Sequence, residues 1–227
     1  MGIALEEALT QVLRIRLALA IETGSETLTL QRLCGLKLWK GYSGVAIKAL
    51  KSPLQMQIPL DDTQEVIKVS ACSRDSEGVE FLAELDAIEV SADFPIRILR
   101  SAPNDSWDVC VKAYNPSTGR PFHVFFDCKS GAEFVPGRNN DRIENDLIKR
   151  EQYNLTTTVL GSARDHLYIY CITHEGVPED TLSLNTDKSD VGGAIMGRDG
   201  TFKLLGPFAE LYRVARSSSA KECAGNV

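Results

Sequence analysis

Apolar side chains recur every three to four residues through the first twenty positions of the chain. They are Leu5, Leu9, Val12, Leu13, Leu17 and Leu19. This spacing puts them on one face of a helix, and it predicts an amphipathic helix from Gly2 to about Ile21. Arg14 and Arg16 interrupt the apolar run, so the segment is predicted to be neither a signal peptide nor a transmembrane helix.

Four later segments are short, apolar and rich in β-branched or aromatic residues, which is typical of buried strands. They cover residues 95–100, 107–114, 122–129 and 165–173. Between the third and the fourth, residues 141–156 carry apolar side chains at helical spacing. The order of helix, three strands, helix and strand predicts an α/β fold.

A long insert, residues 23–92, separates the first helix from these strands. Its segments are interpreted as short helices at 28–34 and 44–50, a strand at 65–70, and either a helix turn or a strand at 78–85. Glu80 and Glu84 in the last of these are reserve candidates for a further acid in a site.

The chain is therefore divided into a first helix at 1–22, the insert at 23–92 and a core at 93–216. Residues 192–200 are rich in glycine and are interpreted as a hairpin loop. The tail, 217–227, is polar and small, and is expected to be disordered.

The turn Asn-Pro-Ser-Thr-Gly at residues 115–119 sets the register of the hairpin between the second and third strands. Proline presets φ, and glycine accepts a positive φ. With the turn centred between Ser117 and Thr118, the numbers of paired residues sum to 235, so that Asp108 faces Asp127. Facing carboxylates repel each other, and a divalent cation between them is the usual compensation.

Asp127 and Lys129 close the third strand and project from the same face, because side chains alternate along a strand. A carboxylate able to hold a metal then lies beside an ammonium able to orient a water. The simpler alternative is an ion pair where the strand reaches solvent. The tripeptide Asp-Cys-Lys on its own favours that alternative.

Taken together, Asp108, an apolar strand, a turn and a second apolar strand ending in Asp127-Cys-Lys129 resemble the core of the PD-(D/E)XK restriction-endonuclease-like nucleases. Those proteins carry an acid at one strand start and an acid-x-Lys on the next strand. The resemblance covers the beginning of the chain, where Gly2-Ile-Ala-Leu-Glu6 is similar to the first helix of that fold, and about residues 95 to 175. The layout is also similar to nuclease domains of Crinkler-type effectors and related retrotransposon hot-spot proteins.

The resemblance implies a mixed β-sheet flanked by helices and a Mg²⁺-dependent hydrolysis of phosphodiester bonds, with Mn²⁺ expected to substitute. It implies that Asp108, Asp127 and the Cys128 carbonyl ligate the metal. Lys129 would orient or help deprotonate the attacking water. Gln152 would position a water or phosphate, and Glu6 would lean into the site. The candidate phosphate contacts are Arg138, Arg142, Lys149 and Arg150.

The amino-acid composition excludes few classes of function. The fractions of 43% hydrophobic and 25% charged residues are ordinary for a globular protein. The net charge of −6 argues mildly against a nucleic-acid partner, although clustered metal ligands account for part of it. The six cysteines form no Cys-x-x-Cys pair and have no histidine at metal-ligand spacing, which disfavours zinc. An intracellular location, cytoplasmic or nuclear, fits this cysteine usage best.

The leading hypothesis is a divalent-metal-dependent nuclease acting on DNA, or on RNA, without a membrane partner. The alternative is a catalytically inactive module on the same fold that binds nucleic acid or protein. The complete set of Asp, Asp and Lys favours the enzyme, whereas the negative charge and the long insert favour the module. End or internal cleavage, sequence preference and oligomeric state, a dimer included, stay open.

Overall fold

The computed structural model of the chain describes residues 2–35, 55–61, 65–69, 85, 87–101, 107–129, 166–173 and 192–214. Helix α1 spans Gly2–Glu22 and confirms the helix predicted from the apolar spacing. None of the helices within the described ranges has the length and apolarity that a membrane crossing needs.

The segment after α1 begins with strand β1, Thr27–Thr29, which leads directly into the one-turn helix α2, Leu30–Leu33. The Thr29 hydroxyl accepts the backbone N–H three residues further on, at 3.1 Å, and so caps this helix. The helix predicted at 28–34 is therefore confirmed only in its second part. Strand β2, Gln57–Pro59, pairs antiparallel with β1 in a small separate sheet.

A six-stranded mixed sheet lies at the centre of the described structure. In spatial order its strands are β3 Val66–Lys68, β4 Ile96–Arg100, β5 Val109–Asn115, β6 Arg120–Lys129, β7 His166–Ile172 and β8 Gly192–Met196. Strands β4, β5 and β6 are antiparallel to one another. Strand β3 is parallel to β4, β7 is parallel to β6, and β8 is parallel to β7. The predicted core strands are confirmed, and the strand predicted at 65–70 joins the same sheet.

The interpretation of residues 192–200 as a hairpin loop was wrong. Strand β8 occupies the first part, and helix α3, Arg198–Leu205, begins after it. A further helix, α4, covers residues 208–214. Glycines weaken a strand without preventing backbone pairing, and β8 is held by its parallel ladder with β7.

The predicted register of the β5–β6 hairpin is confirmed. Val109 pairs with Phe126 and Asn115 pairs with Arg120, so the paired numbers sum to 235. Gly119 has a φ of 68°, the positive value that the turn requires of its glycine. Because the turn fixes this register, it also fixes which residues meet at the far end of the hairpin.

Both faces of the sheet are buried along most of β5 and β6. The apolar face of α1 packs on one of them, in a single cluster with alternate residues of β5 and β6 such as Val111 and Val124. On the other face, the rings of Trp107 and Phe125 lie 5.7 Å apart. The residues at the end of this second face, next to Trp107, form the candidate site described below.

Arg16 of α1 ties together the carboxyl ends of two other helices. Its guanidinium donates to the carbonyls of Leu33 and Leu204, both at 3.0 Å. These carbonyls belong to the last turns of α2 and α3, where a helix leaves its acceptors without intrahelical donors. Gly35, at a φ of 74°, packs so closely that a Cβ there would lie 2.6 Å from the same guanidinium.

We expect Arg16→Met to lower the free energy of unfolding by about 2–3 kcal/mol, since it removes charge-assisted hydrogen bonds to both helix ends and keeps the apolar stem. Arg16→Lys should recover less than half of the loss, because one ammonium cannot reproduce the planar fork. Urea denaturation measures both effects, with Arg120→Met at the exposed hairpin turn as the control. Equal stability of Arg16→Met and wild type would show that Arg16 does not stabilise the ends of α2 and α3.

Candidate functional site

Asp108 lies directly before β5, at the end of the sheet where β4 and β6 also end. Its backbone is held from both sides: its N–H donates to the Phe126 carbonyl at 2.8 Å, and its carbonyl accepts the Ser101 N–H at 3.2 Å. The regular β5–β6 ladder ends one pair earlier, at Val109 and Phe126. The predicted pairing of Asp108 opposite Asp127 is therefore not part of the ladder.

Beyond the end of the ladder, the Asp108 side chain provides the hydrogen bond to β6. One of its carboxylate oxygens accepts the backbone N–H of Cys128 at 2.5 Å. The N–H and C=O of one strand residue point toward the same neighbouring strand, so the Cys128 carbonyl also faces the Asp108 side. The next carbonyl, that of Lys129, accepts from Thr173 beyond β7 at 3.1 Å, as this alternation requires.

Asp127 and Lys129 are adjacent on one face, as predicted. The Asp127 side chain is 2% exposed, and its Oδ1 lies 2.5 Å from the Lys129 Nζ. The same ammonium lies 5.8 Å from the centre of the Tyr170 ring on β7, within the range of a cation–π contact. The ion pair of the simpler interpretation is thus present, at the position where the nuclease resemblance implies the acid and the lysine.

The environment of Asp108 disfavours its charge. Burial, and then the negative charge of Asp127, raises the pKa of Asp108 to about 7, and Glu6 adds to this effect. The hydrogen bond from Cys128 and the charge of Lys129 act in the opposite direction. A carboxyl group that changes its protonation state near neutral pH, in a cluster of charges, is characteristic of functional sites.

Glu6 reaches this cluster from α1 but is engaged by Arg100. The Arg100 Nη2 lies 3.3 Å from the Glu6 Oε2, and its other terminal nitrogen contacts Glu7. Arg100 is the last residue of β4 and pairs with Val109, next to Asp108. Glu6 therefore acts on Asp108 through its charge while its carboxylate is paired with a guanidinium.

The donor set fits a divalent cation in its chemistry. Asp108 and Asp127 supply hard carboxylate oxygens, and the Cys128 carbonyl faces the same side. Burial and the repulsion by Asp127 raise the pKa of Asp108, and a cation bound there would relieve the repulsion. Among the described residues, no three His, Cys, Asp or Glu side chains are grouped closely enough to hold an ion by themselves. The carbonyl and water would have to complete the coordination.

Several predicted site residues lie outside the described part of the chain. They are Gln152 and the candidate phosphate contacts Arg138, Arg142, Lys149 and Arg150. Conversely, the structure places Arg100 and Tyr170 at the site, and neither was predicted from the sequence. Arg100 gives a weak signal in the sequence, as a cation that ends an apolar strand. Tyr170 is hidden within an apolar strand, and only the parallel register that pairs it with Asp127 reveals it.

Comparisons of the chain with protein-family models, curated proteins and solved structures find no match in any of the three.

The pH dependence of stability tests the state of Asp108. The pKa of Asp108 is about 7 in the folded protein against an ordinary value of 3.8, so its contribution is fully present below about pH 4 and is lost as the pH rises through 7. We expect the metal-free wild type to lose more stability than Asp108→Asn between about pH 4 and 7. The amide oxygen of the variant still accepts the Cys128 N–H.

Chemical denaturation at a series of pH values measures this difference. Asp93→Asn, in an exposed loop, is the matched control and should follow the wild-type profile. Parallel profiles for wild type and Asp108→Asn would show that Asp108 does not carry the shifted proton.

Proposed function

We propose that this protein is a divalent-metal-dependent nuclease that hydrolyses phosphodiester bonds of DNA or RNA. The observation that carries the proposal is the meeting of Asp108 with the buried Asp127–Lys129 pair at one end of the β5–β6 hairpin. Two carboxylates and one lysine at a strand end are an arrangement that suits metal-assisted attack of water on a phosphate.

The topology supports the finer assignment to a restriction-endonuclease-like core. Helix α1 precedes the antiparallel strands β4, β5 and β6, with β1, α2, β2 and β3 between them, and β7 then lies parallel to β6. This is the order of helix and strands that the sequence resemblance implies. In this assignment β3 and β8 extend the core sheet at its two edges.

In the proposed mechanism Asp108, Asp127 and the Cys128 carbonyl would hold Mg²⁺. When bound, the ion would supply Lewis-acid activation of the scissile phosphate and of water. Asp108 must lose its proton to become a ligand, and its pKa of about 7 implies that protons compete with the ion below about pH 7. The hydrogen bond from Cys128 keeps the Asp108 carboxylate in one orientation while this happens.

Lys129 acts on the water and on the phosphate. Its ammonium is paired with Asp127 at 2.5 Å, and 27% of its side chain is exposed, so it is anchored on one side and accessible on the other. From this position it orients the attacking water and stabilises the negative charge that develops on the phosphate. The neighbouring Tyr170 ring lies 5.8 Å from the ammonium and contributes a cation–π contact on the buried side.

The same pair also supports the second candidate, an inactive binding module. Lys129 already compensates Asp127, and Arg100 already compensates Glu6. A site whose acids are balanced internally needs no metal. The two candidates differ in one property, since only the enzyme must bind Mn²⁺ or Mg²⁺ at Asp108.

Calorimetric titration with Mn²⁺ at about pH 8 should give binding to wild type and none to Asp108→Asn. Below about pH 7 the affinity of the wild type should fall about tenfold per pH unit, because the ion competes with one proton. Cleavage of plasmid DNA or of labelled RNA should require Mg²⁺ or Mn²⁺ and stop in excess EDTA. Cleavage that persists in EDTA would refute the metal mechanism, and nucleic-acid binding without Mn²⁺ binding would favour the module.

Lys129→Ala should slow cleavage by about 100-fold or more, because it removes the cation beside the developing charge. Its affinity for Mn²⁺ should stay close to that of wild type. The metal-free variant should lose about 1–2 kcal/mol of stability, since Asp127 loses its partner, and Mn²⁺ should recover part of this loss. The control is Lys68→Ala on the exposed end of β3. Wild-type cleavage rates in Lys129→Ala would exclude the proposed role.

A further inference from the structure

A cavity of about 500 Å³ lies where the carboxyl-terminal half of α1 meets α2 and α3. Its described lining combines an apolar part with three cations. The apolar part includes Leu19, Ala20 and Leu28, and the cations are Arg16, Arg32 and Lys203. The volume is within the range of small-molecule sites. Arg16 is ten residues along α1 from Glu6, about 15 Å along the helix axis, so this cavity is distinct from the Asp108 site.

The charges around the cavity are uncompensated by carboxylates. Within the described residues, no acidic side chain lines it, and neither Arg32 nor Lys203 forms an ion pair. Arg16 is half-buried and directed at backbone carbonyls, and burial lowers its pKa. Three cations that converge without an acid stand out in a chain whose net charge is −6.

Helix ends explain only part of this arrangement. Arg32 and Lys203 lie in the last turns of α2 and α3, where cations are favourable. However, α2 has a single turn and therefore little dipole, and one terminal carbonyl of each helix, that of Leu33 and that of Leu204, already accepts from Arg16. Among the described residues, the Arg32 and Lys203 side chains donate to no carbonyl, and both residues are exposed, so their charged groups are accessible to a ligand in the cavity.

The apolar part of the lining indicates a ligand that is more than a simple anion. Leu28 is 4% exposed and Ala20 is 6% exposed, whereas Leu19 is 58% exposed at the edge. A ligand with an apolar body would cover Leu19 while its anionic group reached Arg32 and Lys203. We propose that this cavity binds a small amphipathic organic anion, a carboxylate or phosphate ester on an aliphatic or aromatic body.

Three probes separate the parts of this proposal. Octanoate carries both features, octanol has the same chain without the charge, and acetate has the charge without the chain. We expect saturable calorimetric binding of octanoate with a dissociation constant of about 1 mM or below. Octanol and acetate should each bind at least about fivefold more weakly, because each lacks one of the two contributions.

Variants assign the binding to the cavity. Arg32→Gln and Lys203→Gln should each weaken octanoate binding about fivefold, and the double variant more. Lys68→Gln, which makes the same charge change on β3 at a residue that does not line the cavity, should bind octanoate like wild type. Arg16 is left intact in all variants because it ties helices together.

Three outcomes would overturn the proposal: no saturable octanoate binding, equal binding of octanoate and octanol, or equal binding by wild type and the double variant. The protein could instead sediment with phosphatidylglycerol vesicles and fail to bind free octanoate. That result would show that these cations contact a lipid surface, and it would likewise overturn the proposal of a small-molecule site. Because the cavity lies apart from Asp108, none of these results depends on whether the protein is a nuclease.

Discussion

The hydrogen bond from the Cys128 N–H to the Asp108 carboxylate is the contact on which the candidate site depends. It replaces the next rung of the β5–β6 ladder with a side chain, and so brings a second carboxylate to the end of the sheet where Asp127 already lies. Burial and the neighbouring Asp127 then oppose the charge of that carboxylate. The backbone hydrogen bond therefore holds the Asp108 carboxylate in an environment that disfavours its charge.

Much of this arrangement could be predicted from local sequence, because the determining features are local. The turn at residues 115–119 fixes the hairpin register, and the register brings Asp108 and Asp127 to one end. The period of a strand puts Asp127 and Lys129 on one face. The apolar spacing of α1 likewise predicts its buried face, from Leu5 to Leu17. Each of these inferences needs only the chain within about twenty residues.

The features that sequence did not predict depend on long-range packing. Arg100 meets Glu6 across 94 residues of chain, and Arg16 reaches Leu204 across 188. No periodicity encodes such contacts. Strand β8 was missed for a related reason, since its two glycines carry no side-chain pattern and its existence depends on the ladder offered by β7. The residue at which the β5–β6 ladder ends was also not predicted, because a side-chain acceptor competes there with the backbone.

Helix α1 connects the two regions where charge is concentrated. Near its amino end, Glu6 and Glu7 meet Arg100 and influence Asp108. Toward its carboxyl end, Arg16 holds α2 and α3, and the cations Arg32 and Lys203 gather around an apolar cavity. One buried face of this helix supports the sheet between the two regions. The separation keeps the cations of the cavity from neutralising the acids of the site, because about 15 Å along the helix exceeds the Debye length of roughly 8 Å at physiological salt. The excess of negative charge at Asp108 is therefore a local property, which has to be balanced by Lys129, by Arg100 or by a cation from solution.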